Sequence, residues 1–128
     1  MRIRKNDHVV LTKAITGARQ ADGKALGKEE KGSVARVLKV LAGEDRVVVE
    51  GVNYVYRHVR RSQKNPQGGR VTKEAPIHVS NVMLHCGKCG GPARVRMQVN
   101  EKTDTRGKRR REVLRVCKRC GEVVGGSR

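Results

Sequence analysis

Two Cys-x-x-Cys pairs constrain the fold of this chain more than any other feature. Cys86 and Cys89 form the first pair, Cys117 and Cys120 form the second, and 27 residues separate the two pairs. Two thiolates spaced in this way on a tight turn can bind the same metal ion, and two such turns are typical of a tetrahedral zinc site with four cysteine ligands. The sequence therefore predicts that these four cysteines bind one structural Zn²⁺.

Two disulfides and a redox-active Cys-x-x-Cys are the competing interpretations. Disulfides fit poorly with a reducing compartment, whereas a redox pair needs one such motif and not two at this spacing. His85 precedes Cys86 and could replace one cysteine as a ligand, although four cysteines already complete the set. A zinc ion bound by four thiolates has no open position for a substrate, so the expected role is structural.

The segment between the cysteine pairs has the pattern of a β-hairpin. Val95, Met97 and Val99 alternate with polar residues, as a half-buried strand requires. A polar stretch at residues 100–110 supplies a turn, and residues 111–117 have the composition of a returning strand. Turn, strand, turn, strand and turn is the order of a zinc ribbon, so residues 84–128 are predicted to form a zinc-ribbon-like β-hairpin with four cysteine ligands.

Residues 1–83 are predicted to contain short strands joined by tight turns. The strand-like segments are residues 7–11, 32–41, 46–50 and 74–82, and residues 57–70 are polar and basic. No amphipathic helix of useful length is visible. Strands this close together favour a small barrel. The expected fold class is mainly β, with a barrel domain at 1–83 followed by the zinc-ribbon-like extension at 84–128.

The charge balance indicates a polyanionic partner. The chain has 30 Lys and Arg residues against 12 Asp and Glu residues, a formal net charge of +18. Like charges destabilise a compact domain, whereas opposite a nucleic acid they release condensed counterions. There is no Phe and no Trp, which argues against base-stacking platforms that need exposed rings. We therefore expect phosphate contacts to dominate binding.

Enzymatic function has no support in the sequence. There is no glycine-rich phosphate loop followed by Lys-Ser or Lys-Thr, no recognisable Ser/His/Asp set, and no carboxylate pair in an apolar setting. No apolar run approaches the roughly 20 residues that span a membrane, and the first residues lack the pattern of a secretory signal. A non-enzymatic protein in the cytosol, with no membrane or small-molecule partner, is the expectation.

Four segments resemble the KOW-motif protein of the large ribosomal subunit, the L-twenty-four family in its bacterial form. They are residues 3–10, 32–34, 48–53 and 67–82, and many bacterial members carry the cysteine pairs after the last segment. The resemblance implies an SH3-like (KOW) barrel that binds large-subunit rRNA early in assembly, near the exit of the nascent-chain tunnel. It also implies neighbouring ribosomal proteins as partners, and no homo-oligomer. The loop at residues 13–31 is longer than the family pattern.

The resemblance also implies which side chains face RNA, since the family uses the KOW loop and the basic segment after the third strand. In this chain those positions are Lys28, Lys31, Arg36, Arg57, His58, Arg60, Arg61, Lys64 and Arg70. The predicted ribbon adds a basic tip as a phosphate contact, although a merely solvated turn is the alternative: Arg106, Lys108, Arg109, Arg110 and Arg111. Tyr54 and Tyr56 fit packing better than base stacking.

A transcription elongation factor with a KOW domain, which binds RNA polymerase and nucleic acid, is the alternative function. Such factors usually carry a further domain ahead of the KOW strand, whereas here that strand is expected to begin at Asp7. The ribosomal interpretation is therefore preferred.

Overall fold

The structure is a computed structural model that describes residues 2–18, 20, 26–27, 30–64 and 66–125 of the 128-residue chain. Within these residues the chain is mainly β, as the sequence predicts, and no helix is long and apolar enough to cross a membrane. The strands are β1 (His8–Leu11), β2 (Val34–Leu41), β3 (Arg46–Val49), β4 (Tyr54–Val59), β5 (Gly69–Glu74), β6 (Ile77–His78), β7 (Val82–Cys86), β8 (Gly91–Ala93), β9 (Val95–Thr103) and β10 (Arg109–Cys117).

Six strands form one sheet in the order β6-β3-β2-β1-β7-β8. β6 and β7 are consecutive in the chain, joined by a single 3-10 turn at Val79–Asn81, yet three strands lie between them in the sheet. In a flat sheet their axes would be about 19 Å apart, whereas the four chain steps from His78 to Val82 reach at most about 14 Å. The sheet must therefore curl, which gives the barrel-like shape that the sequence predicts.

The core lies on the inner face of this curled sheet. Val9 is paired with Ala35 on one side and with Leu84 on the other, and Leu84 is paired with Ala93. All four side chains are buried. Aliphatic side chains dominate, because the chain has no Phe or Trp to fill a larger interior.

Strand β7 connects the barrel to the cysteine-containing part. It pairs with β1 and ends at Cys86, so the predicted boundary between residues 83 and 84 falls inside a strand. One continuous cluster of buried residues contains Ile3 of the N-terminal segment together with Val95 and Val124 of the C-terminal part. The two parts thus share a sheet and a core, and their division into separately folding units stays a prediction.

The polar and basic segment at residues 57–70, for which no strand is predicted, contributes to a second hairpin. β4 and β5 pair in antiparallel register from Tyr54 opposite Glu74 to Val59 opposite Gly69. The sequence does not predict this hairpin because most of its side chains are exposed, so its strands show no alternation of apolar and polar residues. The segment at residues 66–69, rich in turn formers, is the signal that marks the connection.

The single strand predicted at residues 74–82 is wrong, because the chain breaks there into β6, a 3-10 turn and β7. The His78 ring nitrogen Nδ1 accepts a hydrogen bond from the Ser80 backbone N–H at 3.2 Å, and the Val79 N–H donates to the Asp45 carbonyl at 3.0 Å. These bonds give the backbone N–H groups of the turn hydrogen-bond acceptors other than those of a neighbouring strand. They hold the bend that carries the chain from one edge of the barrel to the other.

The long loop at residues 13–31 lies against β4 where it is described. The Ala18 N–H donates to the Tyr54 carbonyl at 2.5 Å, and the Leu26 N–H donates to the Ala18 carbonyl at 3.3 Å. Partial burial is the first cause that raises the pKa of Tyr54, and the nearby Glu74 carboxylate adds to the shift. Tyr54 is half-buried, which agrees with the packing role expected for it.

Candidate metal centre and nucleic-acid interface

The four cysteines converge at the junction of the barrel and the β9–β10 hairpin. Cys86 ends β7 and Cys117 ends β10, and each is followed by a turn that carries the second cysteine of its pair. The Gly90 N–H donates to the Cys86 carbonyl at 2.9 Å, and the Gly121 N–H donates to the Cys117 carbonyl at 3.0 Å. Both glycines have positive φ angles, +66° and +74°, which the tight turns require.

The sulfur positions fit a tetrahedral metal ion. The four Sγ atoms lie within 4.8 Å of one another, and the Cys86–Cys120 and Cys89–Cys117 sulfur pairs are 3.5 and 3.9 Å apart. Four thiolates about 2.3 Å from a central Zn²⁺ would be separated by about 3.8 Å. His85 is not a member of this group, so the four cysteines form the candidate ligand set by themselves.

The local hydrogen bonds distinguish the thiols of this cluster. The backbone N–H of Cys120, followed by that of Arg119, lowers the pKa of Cys117 to about 7. Hydrogen bonding to the Cys120 thiol, together with burial, raises the pKa of Cys89 to about 12. Without a metal, Cys117 is thus favoured to ionise before Cys89. A bound cation would favour the thiolate form of all four.

A buried ion pair lies next to the cysteine cluster. Arg115, two residues before Cys117, donates from Nη2 to Asp7 Oδ1 at 2.8 Å and from Nη1 to Asp7 Oδ2. Its exposed fraction is 2% and that of Asp7 is 7%. Nη1 also donates to the Arg2 carbonyl at 2.9 Å. Nothing in the sequence pattern pointed to this pair, because its members are 108 residues apart.

The tip of the β9–β10 hairpin carries less unpaired positive charge than its sequence suggests. Arg110 Nε lies 3.0 Å from Asp104 Oδ2, and Arg111 Nε lies 3.6 Å from a Glu101 carboxylate oxygen. Antiparallel pairing places Glu101 directly opposite Arg111. Arg106, Lys108 and Arg109 are exposed and have no ion pair with a described residue. The assignment of all five residues to RNA contact stays a prediction, and within it Arg110 and Arg111 have carboxylate partners in the hairpin.

The predicted RNA-facing residues of the barrel divide between two places. Lys31 and Arg36 are exposed around the start of β2, and Arg36 Nε lies 3.6 Å from a Glu50 carboxylate oxygen. Lys28 lies outside the described residues. The remaining members are all exposed on the β4–β5 hairpin and its connecting segment: Arg57, His58, Arg60, Arg61, Lys64 and Arg70.

Within that hairpin, Arg70 stacks on Tyr56. The Arg70 guanidinium carbon is 3.9 Å from the centroid of the Tyr56 ring, close enough for a cation–π interaction. The ring thereby packs inside the hairpin, in agreement with the packing role expected for Tyr56. Arg57 and His58 project from opposite faces of β4, so both faces of the hairpin carry basic groups.

Comparisons with known proteins address the family. Residues 52–124, more than half of the chain, match the family model of the large ribosomal subunit protein uL24, C-terminal domain. A large ribosomal subunit protein uL24 of Pelotomaculum thermopropionicum is 48% identical over 122 residues, which cover 95% of this chain and 94% of that protein. The chain belongs to the uL24 family. The resemblance seen in the sequence is thereby confirmed.

Other uL24 proteins agree with this assignment. That of Carboxydothermus hydrogenoformans is 54% identical over 97 residues, covering 76% of this chain and 80% of that protein. That of Halothermothrix orenii is 40% identical over 124 residues, covering 97% of this chain and 98% of that protein. The similarity therefore extends through both the barrel and the cysteine-containing hairpin.

Proposed function

We propose that this chain is a structural, non-enzymatic component of the large subunit of the cytoplasmic ribosome and that it binds rRNA. Its membership of the uL24 family is the observation that carries this proposal. The two basic hairpins support it, because exposed Arg and Lys side chains at their ends are suited to phosphate contact.

The rRNA interface that we propose has two main parts. The first is the end of the β4–β5 hairpin, where Arg60, Arg61 and Lys64 are exposed without an acidic partner among the described residues. The second is the β9–β10 tip with Arg106, Lys108 and Arg109. Both hairpins form two-stranded ribbons outside the six-stranded sheet. Such ribbons can extend between RNA segments while the core of the barrel stays folded.

The finer placement follows from the family resemblance. We propose that the chain binds large-subunit rRNA early in assembly and lies near the exit of the nascent-chain tunnel, beside other ribosomal proteins and as a single copy. A KOW transcription elongation factor is not favoured, since the relatives are named as large ribosomal subunit proteins.

We also propose that Cys86, Cys89, Cys117 and Cys120 bind one structural Zn²⁺. The convergence of four sulfur atoms within 4.8 Å of one another supports this, as does the turn geometry around each pair. The ion would supply a cross-link between the end of β7 and the end of β10 and would leave no open position for a reaction. The hairpin is a two-stranded ribbon, which alone is marginally stable in water, so such a cross-link has a clear role.

Sedimentation tests the ribosomal function. A tagged copy expressed in a bacterium should migrate in a sucrose gradient with large subunits and with their precursors, after a wash that removes loosely bound factors. If the tagged chain is absent from the subunit fractions and associates with RNA polymerase instead, the proposal is contradicted and the elongation-factor alternative is favoured.

Metal analysis of the same purified chain under reducing conditions should find about one zinc per chain if the four cysteines form the predicted site.

A further inference from the structure

A cleft lies between the N-terminal turn at residues 4–8 and the first cysteine turn. Arg4, Lys5 and His8 line one side of it, and His85 lines the other. Asp7 and Arg115 also border it. We call this surface the N-terminal cleft. None of the predicted RNA-facing residues that the structure describes lines it.

Asp7, the only carboxylate among the described residues that line the N-terminal cleft, is already neutralised. Its Oδ1 accepts a hydrogen bond from Arg115 Nη2, and its Oδ2 accepts one from Arg115 Nη1 and another from the Arg4 backbone N–H at 2.6 Å. The carboxylate is thus engaged inside the protein and buried. Arg4 and Lys5 therefore give the lining a net positive charge that favours an anion over a cation.

The turn that presents Arg4 and Lys5 is held in place by backbone bonds. The Asn6 N–H donates to the Val37 carbonyl and the Val37 N–H donates to the Asp7 carbonyl, both at 2.8 Å. Asn6 has a φ of +68°, in the left-handed region that asparagine tolerates better than most residues. A site that is fixed before binding loses less entropy when an anion arrives.

The cleft continues across the outer face of the sheet toward the predicted interface. Val9 pairs with Leu84, so His8 and His85 are the next opposite pair and lie on the face away from the core. On its other side His8 is opposite Arg36. A row of His85, His8 and Arg36 therefore joins the cleft to a residue of the predicted RNA surface.

We infer that the N-terminal cleft binds a backbone phosphate of RNA, with Arg4 and Lys5 as the charged contacts and His8 and His85 as flanking donors. The described residues of its lining include no aromatic ring other than these imidazoles, which fits a phosphate better than a stacked base. The inference rests on the proposed rRNA-binding function and adds contacts on the side of the barrel next to the metal centre.

Charge-neutralising variants test this inference. Near 0.15 M salt, Arg4→Gln with Lys5→Gln should weaken binding to a large-subunit rRNA transcript by roughly fivefold for each phosphate that is no longer neutralised. The magnitude of the slope of log affinity against log salt should fall by about one to two. Lys39→Gln with Arg46→Gln removes the same charge from positions elsewhere on the barrel and should leave the slope near that of the parent. The charge-conserving Arg4→Lys with Lys5→Arg should restore binding.

The outcomes separate this inference from the function on which it rests. If the parent chain does not bind the transcript, the proposed function fails. If the parent binds but both Gln double variants behave alike, the cleft inference alone is wrong. Titration with inorganic phosphate, followed by amide chemical shifts of residues 4–8, forms a second arm. Shifts in that arm together with unchanged RNA affinity of the Arg4/Lys5 variant would mean that the cleft takes free phosphate, which also overturns the RNA assignment.

Discussion

Arg115 donates two hydrogen bonds to the carboxylate of Asp7, so the strand that leads to Cys117 is tied to the turn that precedes β1. The same guanidinium donates to the Arg2 carbonyl, and the Arg2 guanidinium donates to the Val95 carbonyl at 3.0 Å. The N-terminal segment of the barrel is therefore fastened to both strands of the β9–β10 hairpin. The cysteine cluster and the barrel meet at this point.

Asp7→Asn should destabilise the protein strongly. The substitution leaves the buried Arg115 charge without its counterion, and loss of one partner of a buried ion pair costs about 3–5 kcal/mol. Thermal unfolding followed by circular dichroism should show a midpoint lower by roughly 10 °C or more. Arg36→Gln, which breaks the exposed pair with Glu50, is the control and should cost less than about 1 kcal/mol. Equal effects of the two variants would mean that the buried pair does not hold the two parts together.

Gly125→Ala should also destabilise the protein. A Cβ atom at this position would lie 2.9 Å from Asp7 Oδ1 and would collide with Arg115 Nη2, and the φ of +74° strains any side chain. We expect a loss above about 1 kcal/mol in the free energy of unfolding. Gly43→Ala is the matched control, because Gly43 has open space and an ordinary φ. In urea unfolding, the control should leave the free energy of unfolding unchanged or raise it slightly. If Gly125→Ala also leaves it unchanged, the chain near residue 125 does not cover the ion pair.

Removal of the proposed Zn²⁺ should unfold the hairpin first. With Cys117→Ser, or in the presence of a chelator, amides of β9 and β10 should lose protection from hydrogen exchange, because the ribbon depends on the cross-link at its base. The β2–β3 ladder should keep its protection, since its buried valines pack within the barrel.

Two results would contradict this expectation in different ways. Equal protection of the hairpin with and without the chelator would exclude a structural metal. Simultaneous loss of protection in β2 and β3 would show that the shared strand β7 makes the chain one cooperative unit, and the division at residue 83/84 would then be wrong.

Much of this architecture could be predicted from local sequence patterns. The apolar runs of β1 and β3, the strand at β9 and the cysteine spacing each reflect a constraint that acts within a few residues. The half-burial expected for β9 is wrong, because Met97 and Val99 are 43% and 56% exposed. The β4–β5 hairpin was not predicted because strands that are exposed do not require apolar residues at every second position. The Asp7–Arg115 pair was not predicted because tertiary structure brings together two residues that are 108 positions apart. The ion pairs of Arg110 and Arg111 were not predicted because they depend on the register of the β9–β10 hairpin.

Arg60→Ala with Arg61→Ala should weaken rRNA binding without unfolding the barrel. Both residues are exposed in the segment that connects β4 and β5, and surface changes of this kind usually alter stability by less than about 0.5 kcal/mol. Circular dichroism should match that of the parent while RNA affinity falls severalfold. Lys39→Ala with Arg46→Ala serves as the charge-matched control. If the two double variants bind RNA equally well, Arg60 and Arg61 do not belong to the interface.

The salt dependence of rRNA affinity tests the proposed mode of binding most directly. A chain with a net charge of +18 and two tyrosines as its whole aromatic content should bind mainly through phosphates. If about six to ten phosphates are engaged, affinity for a large-subunit rRNA transcript should fall by roughly 10³–10⁵ between 50 and 200 mM salt. A binding constant that barely changes over this range would contradict binding through phosphate contacts and would assign the affinity to stacking or apolar contacts instead.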